Sequence, residues 1–462
     1  MNKPLISNEG IRYAWRQIFH RLGFEYTENF FLVGDKKIGY SYKENAVQQD
    51  EFDFLINIQP CGKEAFKTIL GKTNIKWMNV NQDVIHFQKG DHFEKIPILF
   101  ESEQFGEEIG NIEGQILNFQ VDLIATIFFF LTRYEEYFDY EPDRHGRFTF
   151  EASIINKFSL IDIPVVDIYI LIFKYWLEKL IGKEIEYSHQ FDVLLSHDID
   201  FPFANWPIKN YLKNTLRNLL CFDFDQIIQS SSQLFQDESK DDYYGGIEKI
   251  IETSRKFNVR SVFFLMAIKK DQMGGGYDLT SKKIGGMINL IKQSGFEVGL
   301  HPSYQSFDNP ERISNEKRML EEELGTRVQT CRMHYLRTST PGTWRILSKA
   351  GFRSDHSYIF PQHEGFKCGT CFPFKVFDVE KDRELDLTEV PLIVMDTTLK
   401  NYRKLTFKEA EKRILHLARI CKSVGGCFSM LWHNSSFSQS WEDWGTSYQE
   451  MLKKICELTD FI

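Results

Sequence analysis

Beyond residue 190 the apolar positions follow two periods that alternate. VLLS, residues 193 to 196, is a short apolar run, and VRSVFFLM at 259 to 266 is a second, rich in β-branched and aromatic residues. Both have strand length and composition. Helical periods lie between such runs. Ile247, Ile250 and Ile251 fall at i, i+3, i+4 in GIEKIIETSRKF. Ile284, Met287, Ile288 and Ile291 repeat that spacing in KKIGGMINLIKQSGF, despite its glycines. FEVGL, RVQTCRM, GFRSDHS, LTEVPLIV and GGCFSML continue the strand-like series, with helices ending in ELG, KAGF and KSV among them. About seven alternations of this kind predict a parallel α/β sheet, open or closed. Over roughly 270 residues, a barrel of seven or eight units fits best.

The first 185 residues read differently. Short strand-like runs (EFDFLINI, DVIHF, IPILF) mix with helical stretches, one from Gln120 into RYEEY and one over Val165 to Leu180. The polar, glycine-containing stretch GKEIEYSHQFD marks the change of rhythm. We therefore expect an α+β accessory domain over residues 1–188 and the barrel over 189–462. Arg133, Tyr134, Glu135 and Glu136 read as a charged helix face. No internal repeat or low-complexity tract interrupts either part.

Composition narrows the classes of function. The chain has 462 residues, 42% hydrophobic and 26% charged, as in ordinary globular proteins. Its net charge of -9, without a basic stripe, argues against nucleic-acid binding. The most apolar run, residues 121 to 132, falls far short of the ~20 residues that span a bilayer. No signal-peptide pattern opens the chain, and its eight cysteines do not resemble a disulfide scaffold, so a cytoplasmic protein is expected. Cys368-Gly-Thr-Cys371 has no second CxxC to complete a zinc site and reads as structural or incidental.

The candidate chemistry lies at the ends of the predicted strands. VLLS runs into His197-Asp198-Ile199-Asp200, and FEVGL into His301-Pro-Ser303-Tyr304. RVQTC leads to Arg332-Met-His334-Tyr-Leu-Arg337, and CFSML to Trp432-His433-Asn434. Prolines 202 and 207 then turn the chain away from the first cluster. A single histidine at a strand end is more often structural than functional. In a β/α barrel, however, carboxyl ends gather on one face, where active sites form. Imidazole and carboxylate together suit Zn²⁺ or a related divalent ion, which lowers the pKa of bound water to about 7. Asp198 and Asp200 share one side of an extended strand, because side chains alternate with period two. One can serve a metal and the other a proton; His197 points the opposite way.

With these residues on the page, the C-terminal part resembles the polysaccharide deacetylases of the NodB-homology type, carbohydrate esterase family 4. SHDID is similar to the family's first motif, and VRSVFFLM stands where it has an ATFF strand. GFEVGLHPSY is similar to its second motif, CRMHYLR to its third and CFSMLWHN to its last. SHDID, HPSY, RMHYLR and GFKCGTCFPF together resemble a bacterial subgroup with an extra N-terminal domain, to which RYEEY and DRHGRF would belong. The resemblance implies a distorted β/α barrel and metal-dependent removal of acetyl groups from an N-acetylated sugar or glycan precursor of the envelope or capsule. It implies Asp198 as base, His433 as acid and Arg332 as the residue orienting Asp198. Asp200 and His301 would be metal ligands. The family's HxxxH pair is broken here, because Gln305 follows His301 by four, so His334 is the candidate for the missing ligand. Tyr304, Arg337, Trp432 and Asn434 are the expected substrate contacts. A catalytically degenerate carbohydrate-binding protein and a different metal hydrolase on the same barrel are the competing readings.

Overall fold

The computed structural model describes residues 6–42, 51–79, 95–102, 108–204 and 241–459; DVIHF and Pro207 lie outside them. The N-terminal strands are β1 (Phe30–Val33), β2 (Lys36–Tyr42), β3 (Phe54–Ile58), β4 (Lys76–Asn79), β5 (Lys95–Ile98), β6 (Gly110–Glu113) and β7 (Ile116–Phe119). Five form one sheet ordered β1-β2-β3-β7-β6, and β4 pairs with β5 separately. EFDFLINI and IPILF thus supply β3 and β5. Helix Leu123–Leu131 is apolar but for Thr126, whose hydroxyl donates back to the Asp122 carbonyl; it is buried on every side and contacts helices Asn8–Leu22 and Val165–Ile181.

The charged face expected at RYEEY is not formed. The preceding helix stops at Leu131, Arg133 adopts a left-handed φ of 53°, and Tyr134–Tyr137 make a separate 3-10 turn. Arg133 is only 1% exposed. Its guanidinium lies 2.8 Å from Glu135 and 3.0 Å from Glu136, and it donates to the Lys367 carbonyl. Burial is tolerated because opposite charges and hydrogen bonds replace water around each group.

The second sheet contains β8 (Asp192–Ile199), β9 (Arg260–Leu265), β10 (Glu297–Leu300), β11 (Thr330–Cys331), β12 (Ser354–Asp355), β13 (Phe374–Asp378), β14 (Arg383–Glu389), β15 (Val394–Met395) and β16 (Cys427–Leu431). Their order is β13-β14-β12-β11-β10-β9-β8-β16-β15. Every pairing is parallel except β13 with β14. β8 is buried along nearly its whole length, which is why it reads as an unbroken apolar run. The helices between the strands bury the predicted stripes, including Ile247, Ile250, Ile284 and Met287; each such side chain contributes about 1.5–3 kcal/mol.

The strand pairing of the described residues does not by itself close the expected distorted barrel. Among the described residues no ladder joins β15 to β13 or β14, so the sheet is open by its strand pairing. It nevertheless curls. Val390, just beyond β14, packs with Leu194, Val262, Phe264 and Cys427 inside the curl. Residues 390–393 bridge the gap: Val390 donates to Asp355, Leu392 to Tyr358 and Ile393 to Ser429. Cys368 and Cys371 are buried, and burial holds the Cys368 thiol up at about 12. No helix among the described residues is long and apolar enough to cross a membrane.

Candidate functional site

The parallel strands deliver six polar side chains to one end of the sheet. Asp198 lies in the last pleat of β8 and Asp200 follows the strand, His301 follows β10, Arg332 and His334 follow β11, and His433 follows β16. Backbone bonds prolong the strand pairing past the formal strand ends: His301 donates to Leu265, Arg332 to Leu300 and Trp432 to Ser196. The positions of these side chains are therefore set by the sheet rather than by free loops. Asp198, Asp200, His301, His334 and His433 line one cavity of about 260 Å³. Phe201, Met273 and Tyr402 stand at the same cavity as exposed apolar side chains.

Asp200, His301 and His334 each offer one ligand atom, all within 4.8 Å of one another. Asp200 Oδ1 lies 3.2 Å from His301 Nε2 and 3.7 Å from His334 Nε2. His301 Nδ1 donates to the Arg332 carbonyl across 2.7 Å, which leaves Nε2 to face the cluster. His334 Nδ1 sits 3.5 Å from Asp271, long for a hydrogen bond. Asp200 Oδ1 and His334 Nδ1 are buried polar atoms without a hydrogen-bond partner. Burial would raise the Asp200 carboxyl, but the neighbouring histidines hold it below its ordinary range. Burial likewise opposes charge on His301, yet Asp198 and Asp200 raise it above the usual imidazole value. One carboxylate and two imidazoles with an orphaned oxygen form a donor set that fits Zn²⁺.

Asp198, Arg332 and His433 line the same end of the sheet beside this cluster. Asp198 Oδ1 has no hydrogen-bond partner and lies 3.6 Å from an Arg332 guanidinium nitrogen. Arg332 is buried and donates to Ser196 Oγ at 2.8 Å, so its direction is fixed from behind. His433 Nδ1 donates to Asp396 Oδ1 at 2.7 Å, and Asp396 Oδ2 accepts from the His433 amide and from Ser436. Burial disfavours the imidazolium, but the Asp396 charge outweighs it and lifts His433 to about 9. Asp396 follows β15 as the other site residues follow their strands, and LTEVPLIVMD carries that strand-end signal in the sequence.

The four expected substrate contacts lie outside the cavity wall. Tyr304 donates its attention elsewhere: its hydroxyl meets His145 Nδ1 at 3.1 Å. Arg337 bonds the His145 carbonyl and stacks on Phe307. The Trp432 ring packs on Tyr448 and Trp444, and Asn434 donates to the Phe201 and Tyr243 carbonyls. His197 donates to the Trp432 carbonyl, and burial drives it down to about 3, a neutral structural group. Gln305 is exposed and pairs with Gln272. Tyr335, Tyr402 and Arg147 also line the cavity, and nothing in their local sequence marks them for it.

Residues 3–182 match a family model described as "Family of unknown function (DUF7033)". No curated protein matches the chain. Among solved structures the chain is similar to a Mycobacterium smegmatis protein provisionally named a polysaccharide deacetylase, at 15% identity and TM-score 0.39, covering 58% of this chain and 85% of that one. It is also similar to the chitin deacetylase of the fungal pathogen Colletotrichum lindemuthianum, at 12% identity and TM-score 0.33, covering 59% and 83%. A third likeness is to a CE4 family pseudoenzyme from Bacillus anthracis, at 12% identity and TM-score 0.30, covering 58% and 61%. These likenesses in shape are loose, and the roles of individual residues rest on this chain's own geometry.

Proposed function

We propose that the chain is a divalent-metal-dependent deacetylase acting on an N-acetylated sugar or glycan precursor. The observation that supports this most is the convergence of Asp200, His301 and His334 opposite the Asp396-held His433 within one cavity. Bound by the trio, a divalent cation, Zn²⁺ by its donor set, would supply Lewis acidity toward the acetyl carbonyl and the attacking water.

The chain's own residues supply the rest. Asp198, with a free oxygen, takes a proton from water as its oxygen adds to the acetyl carbonyl carbon. Arg332 holds that carboxylate in place. His433, kept protonated by Asp396, gives its proton to the departing amine nitrogen as the C–N bond breaks. Each proton transfer contributes on the order of 10²- to 10⁴-fold. Phe201 and Tyr402 offer aromatic faces to a sugar ring at the mouth.

The assignment of 189–462 as the catalytic part and 1–188 as accessory belongs to the same proposal. So does a cytoplasmic substrate, with which the unpaired state of the described cysteines accords. The test is acetate release from a panel of free, oligomeric and nucleotide-linked N-acetylated amino sugars, with Zn²⁺ added. Release by wild type and its loss in Asp198→Asn support the proposal; a wild-type chain that loads metal yet releases none from any of them counts against it.

A further inference from the structure

His301 and His334 are held in different ways. His301 follows a four-residue strand, and its Nδ1 is tied to a carbonyl of the neighbouring strand end. His334 opens a turn beyond a two-residue strand, and its own Nδ1 has no close partner. The backbone just after it is unusual: Tyr335 has φ 60° and ψ 14°, and Leu336 has φ 54°. Two consecutive left-handed residues with Cβ atoms are unfavourable, and such a conformation persists only where its surroundings enforce it.

The enforcement comes from a distant stretch of sequence. Asp143 and Arg147 close a tight turn in which Asp143 accepts from the amides of His145 and Arg147 and from the Arg147 guanidinium. So fixed, Arg147 donates from Nη1 to the Tyr335 carbonyl at 2.7 Å, and it lines the cavity. The His145 ring lies 4.9 Å from the Tyr335 ring, and Tyr335 lies 4.8 Å from the His334 ring. Arg337, on the far side of the turn, donates back to the His145 carbonyl. The 143–147 turn and the 334–337 turn are thus laced together from both ends.

We propose that Arg147 is a positioning residue for the metal site: by fixing the strained Tyr335 backbone it keeps the His334 imidazole aimed at Asp200 and His301. This rests on the reading that the trio binds a divalent ion. It makes the region matched by the family of unknown function a structural part of the site, since Asp143, His145 and Arg147 all fall within residues 3–182. It also accounts for how a ligand outside the usual histidine pair can be held in place.

The test is titration of the full chain with Zn²⁺ against a competing chelator, with the visible spectrum of the Co²⁺-loaded form as a report on the ligand set. Supporting residues of metal ligands typically change affinity by about 10- to 100-fold. Arg147→Ala should weaken binding by that factor and shift the Co²⁺ spectrum toward that of His334→Ala, while cooperative unfolding is retained. Asp143→Asn, which loosens Arg147 without entering the cavity, should act in the same direction and carries the test should Arg147→Ala fail to fold. Glu141→Ala, an exposed change just upstream, should leave both readouts unaltered. Wild-type affinity and spectrum in Arg147→Ala, or in Asp143→Asn if that alone folds, overturn the proposal. A wild-type chain that binds no divalent ion overturns the metal reading itself, and this inference with it.

Discussion

His433 and Asp396 form a buried pair, 2.7 Å between Nδ1 and Oδ1, made by residues that follow the adjacent parallel strands β16 and β15. The same carboxylate holds the His433 backbone amide, so charge state and position are set together. With the Nδ1 hydrogen committed, Nε2 is the atom left to serve the cavity.

The pair fixes the sign of a pH dependence. The folded-state pKa of His433 is raised to about 9, so the stabilisation by the charged pair is complete below the free-imidazole value and is lost as pH rises through about 9. An acid role requires the protonated form, so deacetylation should fall along that same limb. Asp396→Asn should bring the limb to lower pH and reduce kcat by about 10²-fold or more. A pH–rate profile of the two proteins checks both.

Gln305 stands where the resembled family places its second ligand, yet it is exposed and paired with Gln272. Gln305→His should therefore change Zn²⁺ affinity by less than about twofold, as for an ordinary surface substitution. Calorimetric titration of the variant gives the answer directly; a large gain in affinity would mean that position 305 reaches the site.

Arg133 and Lys367 together neutralise Glu135 and Glu136 in a place water does not reach. Arg133→Ala leaves Glu136 with Lys367 but strands Glu135 without a cation, and should cost about 3–5 kcal/mol. Urea unfolding should show a lower midpoint. A change below about 1 kcal/mol would mean that the cluster is solvated as an exposed ion pair is.

Gly246 lies in helix Asp242–Lys256 against the segment that follows His433. A Cβ there would come within 2.1 Å of the Asn434 carbonyl oxygen, a backbone atom that cannot swing aside. Gly246→Ala should destabilise the protein by about 1–3 kcal/mol. Because it displaces the His433 side of the cavity and not the ligand trio, kcat should fall while Zn²⁺ affinity stays. Equal losses in both would place the disturbance elsewhere.

The strand-end clusters were legible because a parallel sheet collects carboxyl ends on one side, which requires only the alternation of periods to recognise. Asp396 is hidden in the sequence because LTEVPLIV reads as a single strand, whereas the chain makes β14, crosses the curl over 390–393, and places Asp396 directly after β15. Tyr304, Arg337, Trp432 and Asn434 lie within a few residues of the site's His301, His334 and His433 in sequence. Neighbours in sequence need not share a direction, and here their side chains brace the surrounding loops. The roles of Arg147 and Arg133 could not be read locally, because their partners Tyr335 and Lys367 lie 188 and 234 positions away. Their compensating carboxylates, Glu135, Glu136 and Asp143, are near in sequence; it is the burial and the distant carbonyl acceptors that only the fold supplies.

The most direct measurement is the stoichiometry of Zn²⁺ bound at equilibrium by wild type and by Asp200→Ala, His301→Ala and His334→Ala. The account predicts one tightly held ion per wild-type chain and its loss in each of the three variants. An ion that survives all three substitutions, or a wild-type chain that takes up none, would contradict it.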